Sequence, residues 1–393
     1  MADEGLFDEG EVRDELSHVA DVGFDFVRVS LPWETLQPSA TRLRTAVLDR
    51  LAALLDTAVD AELTVQLTLA GQLGGTLFLP RWMLATDPLA TPRPTTRRVI
   101  SEGWETMLKP GDLYGARDLL DGQRKVWSEI THNFAPHPAL SELDLGAGGL
   151  LTSLPPKNED EALHWWEVLE EAVQEAGTVE NLLYSDGPRL LMLHELPRLE
   201  TWEATVGTLA VAASPTGNAT ARGGADTQWP RFLLLLARTL AGAPVACASL
   251  GLPTQSAELV DVPTLSGTEE EPVARLPLFA EAEQARFFGE VLPALHDAGV
   301  PFICHAVWAD APQSLSQQPP YDRNRPLRHS GLLRADGDEK EVANVWRTFS
   351  RQQQESVEQG ARTLEVDADE WYKRRDEEGF VESLYQRFLG GEL

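Results

Sequence analysis

The sequence is poor in cysteine and in basic residues. Its only cysteines, Cys247 and Cys304, are too few for a disulfide framework, and both fall in predicted strands, so we expect buried free thiols. Lysine and arginine total 33 against 62 acidic residues, a net charge of −29. Such a surface repels nucleic acid and anionic membranes. The acidity favours solubility, as in a saline cytoplasm; an acidic face for a basic partner is the alternative.

The chain also lacks long apolar runs and metal-binding spacings. The longest run of large apolar residues, Phe232 to Leu236, is far too short to span a membrane. Met1 to Gly5 contains neither the basic nor the apolar region of a signal peptide, so we expect a soluble, cytoplasmic protein. The eight histidines and two cysteines show no zinc-type spacing, and we expect no metal or cofactor.

What the chain does contain is a regular alternation of helical and strand patterns. The stretch from Gly23 to Pro38 begins with a β-branched and aromatic run that predicts a buried strand between two amphipathic helices. This order is typical of a parallel α/β sheet. The predicted strands are 24–31, 63–69, 143–147, 189–193, 206–212, 245–249 and 301–307. A long segment, 70–111, is predicted as a functional loop at the rim.

Two segments resemble a known family. Gly23 to Pro38 resembles the strand GF(D/N)xVRxxLxWExxQP of clan A glycoside hydrolases, the cellulase-like and β-galactosidase-like (β/α)8 barrels. Gly331 to Lys340 resembles their closing turn, GLxxxDGxxK. The resemblance implies a TIM-type barrel over residues 1–350. Its first strand is missing or replaced, because only Met1 to Phe7 precedes the opening helix, and the open edge needs a cover such as a partner or paralogue.

Residues 351–393 are predicted to form a short helical tail packed on the barrel. A disordered tail would not contain so many large apolar side chains. They are Trp371, Tyr372, Phe380, Leu384, Tyr385, Phe388 and Leu389.

The positions that carry chemistry in the resembled family differ here. Its acid/base is the Glu of DLGNEP, and the matching stretch from Asp144 places Gly148 at that position. Its nucleophile is the Glu of EFGLPT, which Ser249 replaces. The motifs GH, MHGYP and WxFAD also depart, at Gly71-Gln72, 211–215 and 306–310. Because these differences all fall at the carboxyl ends of predicted strands, where barrel active sites are built, we expect a pseudoenzyme.

Two functions remain open. The first is a non-catalytic module that binds carbohydrate or another protein. The second is an active retaining glycosidase whose carboxylates are relocated to Glu34, Glu195 or Asp310. A Ser249–His305 nucleophile–base pair is a weaker idea, because no orienting third group is apparent.

Five residues are candidates for contact with a substrate or sugar. Arg28 would have oriented the lost nucleophile and therefore needs a new partner. His194 follows predicted strand 189–193 and fits either a site or a positioned core histidine. Tryptophan faces can stack on sugars, although packing is the alternative role for each. The five residues are Arg28, Trp33, Trp82, His194 and Trp308.

Overall fold

The computed structural model describes residues 8–86, 92–177, 179, 181–214, 225–254, 278–353 and 363–393. The chain forms two compact units. The first comprises Met1–Ser185, His194–Pro197 and Thr205–Thr208, and the second comprises Asp186–Leu193, Arg198–Ala204 and Leu209–Leu393.

Thirteen strands and thirteen α-helices are seen in these described ranges. The strands are β1 (Phe26–Leu31), β2 (Thr64–Leu69), β3 (Gln72–Leu73), β4 (Thr76–Phe78), β5 (Val99–Ser101), β6 (Trp104–Glu105), β7 (Leu140–Asp144), β8 (Leu182–Asp186), β9 (Thr208–Ala212), β10 (Val245–Leu250), β11 (Ile303–His305), β12 (Val307–Ala309) and β13 (Gly331–Leu333). The helices are α1 (Glu9–Val22), α2 (Trp33–Leu36), α3 (Thr45–Asp60), α4 (Arg117–Phe134), α5 (Leu150–Ser153), α6 (Glu159–Ala176), α7 (Leu199–Val206), α8 (Trp229–Ala241), α9 (Glu281–Asp297), α10 (Arg325–His329), α11 (Glu341–Gln353), α12 (Ala368–Arg374) and α13 (Phe380–Leu389).

The main sheet has seven strands in the order β1-β2-β7-β8-β9-β10-β11. Its paired strands run parallel, as the alternation of helices and strands predicts. With helices between the strands, this is the predicted TIM-type α/β fold. The place predicted for a first barrel strand, Met1 to Phe7, lies outside the described residues. The last strand is interrupted at Ala306, after which β12 pairs with β13 of the closing turn.

One predicted strand is wrong. Residues 189–193 do not form a strand, because Pro188–Leu191 is a 3-10 helix. The strand of this region is β8, which lies earlier in the chain and buries Leu183 and Tyr184. Pro188 locks its own backbone and has no N–H to donate, which suits the first turn of a helix better than a buried strand.

The segment predicted as a rim loop contains a small sheet of its own, in the order β3-β4-β5-β6. Strands β5 and β6 form an antiparallel hairpin in which Ser101 faces Trp104. The two turn residues, Glu102 and Gly103, have φ of 53° and 77°. Positive φ at both central residues is the mark of a type I′ turn, whose twist matches that of a hairpin. The rim segment is therefore partly ordered by local strand pairing.

The C-terminal helices contact residues of the second unit. Arg375 donates to the carbonyls of Leu191 and Leu193 at 3.2 and 3.1 Å. The Tyr385 hydroxyl donates to Asp226 at 2.6 Å, and its ring lies 5.1 Å from that of Phe232 in α8. Of the apolar residues predicted to dock, Tyr385 and Phe388 therefore lie against Phe232 of helix α8. The boundary at residues 350/351 stays a prediction.

Candidate functional site

Gly148, the residue that the resemblance matches to the acid/base of the family, lies in a tight turn after β7. Ala147, Gly148 and Gly149 have φ of 49°, 75° and 90°, all in the left-handed region that glycine tolerates best. A Cβ placed on Gly148 would lie 2.4 Å from the carbonyl oxygen of Gln72 in β3. The Gln72 N–H donates to the Ala147 carbonyl at 3.1 Å, which fixes the two segments together. The space where a side chain would begin is therefore filled by backbone.

The neighbouring Trp33 is fully buried. A Cβ on Gly71 would lie 3.3 Å from the Trp33 ring, so the β2–β3 connection packs closely against the indole. Trp33 Nε1 donates to the Gln37 side-chain oxygen at 2.8 Å. The Trp82 Nε1 donates to the Gln37 carbonyl at 3.1 Å, and a Cβ on Gly122 of α4 would lie 2.6 Å from the Trp82 ring. Trp33 and Trp82 thus pack around Gln37.

Arg28 contacts other side chains of the first unit. Its guanidinium donates to the Asp144 carboxylate and to the Ser185 hydroxyl. The Ser185 hydroxyl also donates to Asp144 at 2.5 Å, and the Gly146 N–H donates to the same carboxylate at 3.0 Å. The Asp144 side chain is only 1% exposed. The arginine that the family resemblance assigns to the nucleophile is therefore held in a buried cluster with the end of β7.

A polar row extends from this cluster across three strands. Arg28 in β1 is in register with Gln66 in β2, which is in register with Glu142 in β7. Burial raises the pKa of Glu142, while the positive charge of Arg28 opposes the rise. Sequence analysis missed this row. The spacing of Glu142 and Asp144, two apart in one strand, is the signal, because such residues lie on the same face of a sheet.

In the second unit, Ser249 lies in β10 and its carbonyl accepts from Ala213 at 2.9 Å. His305 cannot act as the base for this serine. Its Nδ1 accepts from Trp346 Nε1 at 3.2 Å, and its Nε2 lies 3.1 Å from the Ser330 carbonyl oxygen. Burial lowers the pKa of His305 to about 4. Both ring nitrogens of the neutral imidazole are therefore engaged in hydrogen bonds, one with Trp346 of α11 and one with the Ser330 carbonyl.

The relocated carboxylates predicted from sequence occupy different surroundings. Glu34, in α2 directly after β1, accepts hydrogen bonds from the backbone N–H groups of Glu102 and Gly103. Burial raises the pKa of Glu34. Asp310 accepts from Lys340 Nζ at 2.7 Å and from the Gly331 N–H at 2.8 Å. Glu195 is half-buried in the turn that follows the 3-10 helix.

The last two candidate residues, His194 and Trp308, lie in different secondary-structure elements. His194 is exposed in a turn, since the strand whose end it was expected to mark does not exist. Trp308 is half-buried in β12. Over the described ranges no group of three or more histidine, cysteine or acidic side chains could hold a metal ion. Nor does any helix within them have the length and apolarity to cross a bilayer.

Comparison with known proteins identifies solved structures that have a similar fold. No protein-family model and no curated protein matched the chain. Among solved structures, a Glu-to-Ala variant of GH5_18 from Streptomyces cattleya in complex with Manβ1-4GlcNAc has a TM-score of 0.68 and 22% identity, over 91% of this chain and 78% of that one. The equivalent complex of GH5_18 from Bifidobacterium longum gives 0.71 and 16%, over 95% and 85%. The exo-β-1,4-mannosidase Op5Man5 from Opitutaceae bacterium strain TAV5 gives 0.66 and 18%, over 88% and 56%. The chain thus has the fold of clan A glycoside hydrolases.

Proposed function

We propose that this protein is a non-catalytic member of the glycoside hydrolase fold that binds carbohydrate. The observation that carries the proposal is the geometry at Gly148, the residue that matches the acid/base of the resembled family. Its φ of 75° and the Gln72 carbonyl, 2.4 Å from a Cβ placed there, leave no room for a glutamate without a shift of backbone. With serine at position 249, the two carboxylates of a retaining mechanism are both absent from the matched positions.

The other carboxylates support the same proposal, because two of the three already have structural partners. Glu34 accepts a hydrogen bond from the backbone of the β5–β6 hairpin, and Asp310 forms an ion pair with Lys340. A carboxylate that moved away from these partners to reach a substrate would leave them unsatisfied. These contacts weigh against an active glycosidase that relies on relocated acids.

The comparison with similar folds supports a ligand class. The GH5_18 complexes contain Manβ1-4GlcNAc, and another neighbour is an exo-β-1,4-mannosidase. We therefore propose neutral, β-linked oligosaccharides that contain mannose or N-acetylglucosamine. A neutral ligand also suits a chain of net charge −29, which would repel an acidic polysaccharide.

The test combines hydrolysis and binding. Nitrophenyl β-mannoside, β-glucoside and β-galactoside are incubated with the protein at low and high salt, and Manβ1-4GlcNAc and β-1,4-mannotetraose are titrated by calorimetry. We expect no turnover and saturable binding of at least one oligosaccharide, together with a raised melting temperature. Turnover that Glu34→Gln or Glu195→Gln abolishes would contradict the non-catalytic assignment. Absence of all binding would redirect the search to protein partners.

A further inference from the structure

The β5–β6 hairpin displays an unusual aromatic side chain. Trp104 is 78% exposed, whereas most of the other described tryptophans, among them Trp127 and Trp165, are buried. Met107, just beyond the hairpin, is 92% exposed. Tryptophan is highly buried on average in folded proteins, so an indole this exposed loses the stabilisation that burial would provide.

The hairpin holds this indole on a fixed backbone. Its type I′ turn pairs Ser101 with Trp104, and the Thr106 N–H donates to the Val99 carbonyl at 3.0 Å. The Glu34 carboxylate accepts from both turn N–H groups. Because Glu34 directly follows β1, the hairpin is tied to the carboxyl end of that strand, the end at which TIM-barrel proteins bind their ligands.

We infer that Trp104 is a stacking platform for a neutral pyranose, and that Glu34 is a positioning residue that holds the platform in place. One exposed indole and one methionine provide far less area than the roughly 800 Å² per partner of a stable protein interface. The area of an indole matches the flat C–H face of a single sugar ring.

Polar groups suited to sugar hydroxyls lie at the same turn. Glu102, two residues before Trp104, forms an exposed ion pair with Arg81 at 3.7 Å. The Glu102 carboxylate and the Arg81 guanidinium together offer acceptors and donors to vicinal hydroxyls, and their charges cancel within the pair. This combination favours a neutral sugar over an anionic one. The inference deepens the proposed function and rests on its carbohydrate-binding half.

The experiment measures binding of Manβ1-4GlcNAc and β-1,4-mannotetraose to the full-length protein by calorimetry. Trp104→Ala is expected to lower the affinity at least about tenfold, and Trp104→Phe to retain most of it. Met107→Ala is the control, because it removes a nearby, highly exposed apolar side chain that has no ring. Glu34→Ala is expected to weaken binding although Trp104 is intact, with partial rescue in Glu34→Gln, which keeps an oxygen acceptor.

Fluorescence provides a second readout that a general loss of folding would not reproduce. Acrylamide quenching attributable to Trp104, obtained by difference from Trp104→Phe, should fall when the oligosaccharide is added. It should rise in Glu34→Ala without ligand, as the hairpin loosens. Saccharide binding that is unchanged in Trp104→Ala would overturn the inference and leave the proposed function standing. If the unmodified protein binds neither oligosaccharide, the inference and the carbohydrate-binding half of the proposed function fall together.

Discussion

Arg28 and Asp144 form a buried ion pair that joins the first strand of the main sheet to the end of β7. In the resembled family this arginine is associated with the catalytic nucleophile, whereas here it donates to an aspartate and to Ser185. The arginine thus has a structural role in the main sheet. We therefore expect removal of the Arg28 side chain to lower the stability of the folded protein.

We expect Arg28→Gln to lower the free energy of unfolding by about 3–5 kcal/mol, because it leaves the Asp144 carboxylate buried without its cation. Denaturant unfolding monitored by circular dichroism measures the change. Arg117→Gln is the control, since that side chain is 96% exposed and lies 3.8 Å from Asp121, where the expected change is within about 0.5 kcal/mol. Equal effects in the two variants would show that burial of the pair has no energetic consequence.

Gly148 should not tolerate a side chain. We expect Gly148→Ala to destabilise the protein more than Gly242→Ala does. Gly242, at the end of α8, has a similar φ of 71° but no atom within 4 Å of the added Cβ. The control should cost about 1–2 kcal/mol for left-handed backbone. The close Gln72 carbonyl should add about 1–3 kcal/mol at Gly148. Thermal unfolding of both variants measures this difference in stability. If Gly148→Ala is as stable as Gly242→Ala, the backbone at Gly148 has room for a glutamate side chain.

Glu142 should make stability depend on pH. Burial raises the pKa of its carboxyl above the ordinary 4.5. The folded state therefore favours the protonated form, so this contribution to stability is fully present below pH 4.5 and is lost as pH rises through the folded-state pKa. Glu142→Gln should consequently raise the melting temperature at pH 7, and the gain should shrink toward pH 4.

The control for that series is Glu167→Gln, on the exposed side of α6. Its melting temperature should follow that of the unmodified protein at every pH. A gain from Glu142→Gln that is the same at pH 4 and pH 7 would mean that the carboxyl does not titrate as its burial requires.

More of the fold than of the candidate site can be predicted from the sequence. The apolar run of β1 and its flanking helices can be predicted because apolar periodicity is local. Strand β8 is harder to predict, because Leu182–Asp186 ends in the polar residues Ser185 and Asp186, of which Ser185 binds Arg28 and Asp144. The pairing of Arg28 with Asp144 joins residues 116 apart and depends on strand order. The role of Glu34 depends on a hairpin inside a segment that composition alone marks as a loop.

Lys340, in the closing turn, decides whether Asp310 is available for chemistry. Its side chain is 1% exposed, and its ammonium donates to Asp310, to the Thr254 hydroxyl at 2.8 Å and to the His329 carbonyl at 3.2 Å. We expect Lys340→Met to destabilise the protein by about 3–5 kcal/mol, because it leaves the Asp310 carboxylate without its cation. Asp310→Asn in the Lys340→Met background should recover part of the loss, since it removes the unpaired charge.

A double-mutant cycle on these two positions, measured by urea unfolding, gives the coupling energy directly. A large coupling means that Asp310 is committed to holding the closing turn, because any departure toward a substrate would leave the ammonium of Lys340 unpaired. A Lys340→Met variant with unchanged stability would show that the pair contributes nothing to folding. Asp310 would then be free to take part in hydrolysis, and the relocated-carboxylate glycosidase would again compete with the non-catalytic protein proposed here.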